Sequence, residues 1–173
     1  MNLPLIDLYE TDFYGWTQKQ VELLRQNQLD LLDIKNLIEE IESLGKQQQQ
    51  ELVSRLEILL GHLLKWQYQP NKRSSSWLKT IREQRRKIKD IIEKNPSLKP
   101  FFNEATNKAY LLGLDLAVDE TGLQIKTFPS EVPYSWELIN SPEFFPGEIT
   151  DKDRDLFERY GISPKSTDEI SES

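Results

Sequence analysis

The sequence contains no cysteine, one histidine, one methionine and seven glycines among its 173 residues. Without a thiol the chain can form no disulfide framework, thiolate zinc site, iron–sulfur cluster or cysteine nucleophile. The single histidine leaves no pair at metal-ligand spacing, and the glycines form neither a phosphate-binding loop nor a dinucleotide fingerprint nor a nucleophile elbow. The expectation is therefore no cofactor, no metal ligands and no catalytic residue that can be named. No apolar run reaches the roughly 18 residues that span a bilayer, so no membrane partner is expected. The first seven residues carry an acid where a signal peptide carries bases, which points to a cytoplasmic location. Alternation of the kind that marks a strand is also missing.

What is there is amphipathic and helix-forming. Apolar residues make up 37 % of the chain and charged residues 29 %, enough apolar surface to build a core and to exclude global disorder. The net charge of −7 conceals a pattern: −6 over residues 1–44, 0 over 45–64, +7 over 65–94 and −8 over 95–173. One basic segment lies between two acidic ones.

Spacing predicts five main helices. The first runs from Asp12 to about Gln26, with Phe13, Trp16, Gln20 and Leu24 at steps of three and four behind a capping Asp. The second runs from Asp30 to Leu44, with Ile34, Leu37, Ile38, Ile41 and Leu44 in one arc and Gly45 placed as a C-cap. The third, Lys46 to Gln69, has nearly half its circumference apolar and must be central. The fourth follows Pro70 and the cap candidates Ser74, Ser75 and Ser76 and reaches Lys94. The fifth carries a stripe of small residues, Ala105, Ala109 and Gly113, permitting close helix approach, and stops at Thr121-Gly122. Ser135 caps a short sixth helix, and Phe128, Pro133, Tyr134, Phe144 and Phe145 belong to an irregular aromatic strap. The expected architecture is all-α: a five-helix bundle over residues 8–146, with residues 147–173 an acidic, partly disordered tail. Its core should include Trp16, Ile38, Ile41, Leu56, Leu59, Leu63, Trp66, Ile81, Ile88, Phe102 and Leu112.

Several blocks occur together in order: Tyr9-Glu10-Thr11-Asp12-Phe13-Tyr14-Gly15-Trp16; Asn36 to Gly45; His62-Leu63-Leu64-Lys65-Trp66-Gln67; Ser76-Trp77 with Ile81-Arg82-Glu83-Gln84-Arg85; and Phe128-Pro129 with Pro133-Tyr134-Ser135. In these the chain resembles the bacterial domain-of-unknown-function family twenty-nine over roughly residues 8–146. The resemblance implies an all-helical fold and supplies no catalytic residue.

Three groups of residues are chemically notable. Glu39 and Glu42 share one side of the second helix, as cation-binding carboxylates can. His62 flanks the stripe of the third, where a hairpin about Gly45 would return Asp30 or Asp33 toward it. Arg85, beside Gln84, falls on the inward face of the fourth helix among Ile81, Ile88 and Ile92 and demands a partner, expected to be a carboxylate of the second helix or Asp119 or Glu120. Arg85, Gln84 and His62 are thus candidates for a buried polar or anion-binding group, and Lys79, Arg82, Arg86 and Lys89 for an exposed basic row. The basic segment also holds Lys65, Arg73, Trp66 and Trp77, but the two tryptophans fall on apolar stripes and are expected to be buried. The expected function is a non-enzymatic binding or scaffolding module with a protein partner. The alternatives are a nucleic-acid binder using the basic row, set back by the overall acidity, and a metal-assisted hydrolase of nucleotides or phosphate esters using clustered carboxylates.

Overall fold

The computed structural model describes residues 5–171 and is all-α, with no strand among the described residues. The helices are α1 Leu5–Thr11, α2 Phe13–Arg25, α3 Ile34–Tyr68, α4 Ser75–Lys94, α5 Phe102–Thr121, α6 Trp136–Asn140, α7 Asp151–Arg159 and α8 Thr167–Ser171. The caps follow the local chemistry of the sequence. Asp12 accepts from the amide of Gly15, Ser74 from that of Trp77 and Ser135 from that of Leu138, while Gly122 closes α5 at φ +70°. The sequence pattern implies one domain, whereas the chain divides into two compact units, residues 1–47 and 48–173.

In the first unit, Trp16, Gln20 and Leu23 form the buried side of α2. Trp16 Nε1 donates to Asp33 at 3.1 Å, the Asp33 amide donates to Gln20 at 2.9 Å, and the Tyr9 hydroxyl donates to Glu40 at 2.6 Å. That last bond holds the Tyr9 proton and pushes its pKa up to about 12. At about 100° per residue, Asn36, Glu40 and Ser43 share one side of α3, and Ile34, Ile38 and Ile41 the opposite side. The side that meets the first helices is thus polar. Ile38 and Ile41, expected in the core, are instead 54 % and 66 % exposed: the period located the apolar face correctly, but not what it faces.

The second and third predicted helices are one. α3 runs unbroken for 35 residues through Gly45, so no hairpin forms there. Gly45 is not among the glycines with positive φ. A lone helical glycine costs only about 1 kcal/mol relative to Ala, and the Lys46 to Glu51 run beyond it consists of helix formers with no competing turn residue.

The core of the second unit is built on the later part of α3, from which Leu52, Leu56, Leu59, Leu60, Leu63 and Trp66 are essentially inaccessible. α4 adds Leu78, Ile81 and Ile88. α5 presents Ala105, Ala109, Gly113 and Ala117, and its buried arc extends to Tyr110 and Leu114. That rotation leaves Leu112, expected inside, 42 % exposed. Phe102 is only half-buried and stacks on Trp136 with ring centroids 4.1 Å apart. The small-residue stripe permits the backbones of α3 and α5 to meet: a Cβ on Gly113 would lie 2.8 Å from the Glu57 carbonyl oxygen and 3.0 Å from the Gly61 nitrogen. Within residues 147–173, expected as a tail, α7 buries Leu156 and Phe157 against this core, with Phe157 packed on Trp66 and Phe145.

Two glycine substitutions should therefore move stability in opposite directions. Gly45→Ala meets no atom within 4 Å and should stabilise by about 0.5–1 kcal/mol in denaturant unfolding followed by circular dichroism. Gly113→Ala should destabilise by about 1–3 kcal/mol because backbone, not a flexible side chain, occupies the space. A loss of stability on Gly45→Ala would mean that Gly45 ends a helix after all.

Candidate functional site

Arg85 sits on the inward side of α4, only 6 % exposed. Its Nε donates to the carbonyl of Ile139 at 2.9 Å and its Nη2 to that of Phe144 at 2.8 Å. Ile139 lies in the last turn of α6, where carbonyls lack helical partners. The guanidinium also lies 5.3 Å from the ring centre of Phe145. The expected carboxylate partner is not there, because Glu120 is bonded to Lys65 and Asp33 and Glu40 are engaged within the first unit. The buried Nη1 of Arg85 has no hydrogen-bond partner, nor has the Oε1 of Gln84 beside it. Burial without a countercharge pulls the Arg85 pKa down to about 9, which still leaves it cationic at neutral pH.

A second arginine provides the comparison. Arg73, 2 % exposed, donates to the carbonyls of Trp66 at 2.7 Å and Glu148 at 2.8 Å and pairs with the buried Asp153 at 2.5 Å. Asp153 also closes the capping box of α7 with Thr150. Sequence reasoning missed this ion pair. The one signal was an acid three residues after Thr150, which reads as a cap and nothing more.

Arg85 lines a cavity of about 590 Å³ together with Arg82, Arg86, Lys89, Ile92 and Trp136. Three of the four residues of the predicted basic row are thus brought to one place, while Lys79 is exposed outside it. Glu93 is the one carboxylate in the lining, 3.7 Å from Lys89 with both side chains mostly exposed. Among the described residues Arg82 and Arg86 make no salt bridge, and Arg82 stands 5.6 Å over the Tyr160 ring. Lys65 and Arg73 do not join a basic surface: both are buried and paired, Lys65 also lying 4.5 Å over the ring of the half-buried Trp77.

His62 does not join this group either. Its Nδ1 donates to the Ile58 carbonyl at 2.9 Å, one turn back on α3. Without a turn at Gly45, no hairpin brings Asp30 or Asp33 back to it. Glu39 and Glu42 are both exposed, and among the described residues no group of three or more His, Asp or Glu side chains is placed to hold a metal ion.

The geometry defines an all-α protein whose second unit carries a cationic cavity behind a strap held by buried arginines. The chain belongs to the family Domain of unknown function DUF29, whose model matches residues 8–145. No curated protein and no solved structure matches it. Blocks of sequence that carry the resemblance meet in space: Tyr9 bonds Glu40, the Tyr134 hydroxyl donates to Gln67 at 2.5 Å, and Lys65 covers Trp77.

Burial, reinforced by the nearby Lys65 and opposed by the bond to the Ile58 carbonyl and by Glu120, holds the His62 pKa below its ordinary value of 6.5. The unfolded chain therefore takes up a proton near pH 6.5 that the folded chain refuses, and stability is lost as pH falls through that value. The stability difference between the wild type and His62→Gln, measured by urea unfolding, should shift in favour of the variant between about pH 7.5 and pH 5. A constant difference across that range would show that His62 titrates alike in both states.

Proposed function

We propose that the chain is a non-enzymatic protein-interaction module of the bacterial cytoplasm, and that its docking face is the outward apolar stripe of α3. The observation that carries this reading is the exposure of Ile34, Ile38, Ile41 and Leu44, all between 53 % and 66 %. Residues at this spacing make a stripe about three turns long, the kind of surface onto which a second amphipathic helix packs.

Charge selects the occupant. Residues 1–47 hold nine acidic against four basic side chains, and Glu39 and Glu42, both exposed, border one edge of the stripe. A two-fold contact with a second copy would set this acidic border against itself. The partner that fits is an amphipathic helix of another protein whose apolar face is fringed by Lys and Arg.

A synthetic helical peptide with a Leu/Ile stripe bordered by Lys tests this by fluorescence anisotropy. It should bind the full chain at least about tenfold more tightly than the same peptide with Glu at the border, and Ile38→Ser with Ile41→Ser should weaken binding by about tenfold or more. Both positions are exposed, so the fold is retained. Equal affinity for the two peptides, indifference to the substitutions, or a self-association that Ile41→Ser dissolves would overturn the proposal.

A further inference from the structure

The cavity beside α4 is independent of the docking face, and its lining argues for a small anion. Four cationic side chains, Arg82, Arg85, Arg86 and Lys89, stand against the single carboxylate of Glu93. Both buried arginines of this unit hold main-chain carbonyls, but only Arg73 is given a countercharge, by Asp153. Arg85 receives two carbonyl dipoles and the ring of Phe145 but no carboxylate, and keeps one nitrogen unbonded. A buried cation of this kind lends positive potential to the adjoining cavity with little solvent screening.

The remaining walls are mostly apolar. Trp136, Ile92 and Pro142 line them with Asn140, whose amide donates back to the Trp136 carbonyl at 2.9 Å. Phe102, its ring centroid 4.1 Å away, supports the indole. The volume of about 590 Å³ lies in the range of small-molecule sites, roughly 300–1,000 Å³. Guanidinium groups match phosphate oxygens in planar, two-pronged contacts, and several of them together favour a doubly charged head over a carboxylate. We propose that this cavity binds a small organic phosphomonoester, its phosphate held by Arg82, Arg86 and Lys89 with Arg85 behind them and its flat apolar body lying against Trp136 and Ile92.

The test uses the full chain and 1-naphthyl phosphate in isothermal titration calorimetry at low salt, with inorganic phosphate and 1-naphthol as the two halves of the ligand. Arg86→Ser and Lys89→Ser are the informative variants, because both side chains are exposed. Replacing Arg85 would also release the carbonyls of Ile139 and Phe144. Naphthyl phosphate should bind at least about tenfold more tightly than either half, Arg86→Ser should weaken it by about tenfold, and Lys79→Ser, outside the cavity, should leave it unchanged. Binding equal to that of inorganic phosphate would overturn the apolar subsite. Binding that Arg86→Ser and Lys89→Ser do not affect, or absence of binding at millimolar ligand, would overturn the site. An oligonucleotide that binds through Arg86 where naphthyl phosphate does not would replace it with a nucleic-acid surface.

Discussion

Arg85 and Arg73 between them hold the carbonyls of Ile139, Phe144, Pro146 and Glu148, four oxygens of a segment that has no helix or sheet to satisfy most of them. Irregular backbone can be buried only when its polar groups find partners. The two guanidinium groups, each a fork of donors with no acceptor to satisfy in turn, meet that need. Because the strap is held down, Phe144, Phe145, Leu156 and Phe157 can be buried with Trp66, and α7 has a surface to dock on. Removing either arginine would therefore leave unpaired carbonyls as well as lose packing.

Much of this was legible in the sequence wherever the signal was local. Asp12, Ser74, Ser135 and Gly122 announce helix ends because a cap acts on amides or carbonyls within a few residues of itself. The inward phase of Arg85 was legible too, from its place among Ile81 and Ile88. Its partners were not, since a main-chain carbonyl belongs to every residue and leaves no mark in the composition of a segment some 55 positions away. Charge arithmetic pointed to a carboxylate of the second predicted helix or to Asp119 or Glu120, whereas Glu120 pairs with Lys65 and Asp153, outside that set, pairs with Arg73. Of the basic row, helical spacing placed Arg82, Arg86 and Lys89 on one side of α4, but only the course of the chain between α5 and α6 brings Trp136 beside them. Gly45 failed as a landmark for a different reason. Glycine is suited both to ending a helix and to lying harmlessly within one, and the residues that follow decide which.

The amphipathic pattern of α3 carries a further consequence. A stripe of Ile and Leu at helical spacing is ordinarily a core, and in the later half of this helix it is one. In the first half the same pattern lies on the side away from Asn36, Glu40 and Ser43, the side whose Glu40 is taken by Tyr9. Polar contacts thus position the helix and leave the apolar face unspent, an arrangement that packing energy alone would reverse, since each fully buried Ile or Leu contributes about 1.5–3 kcal/mol. The exposed stripe and the cationic cavity would then read opposite chemistries. Burial of the stripe would show as a negative heat-capacity change with modest dependence on salt, whereas phosphate held by arginines near the surface would weaken steadily as ionic strength rises. The two surfaces can for that reason be distinguished in the intact protein by the thermodynamics of a binding event, before its partner is identified.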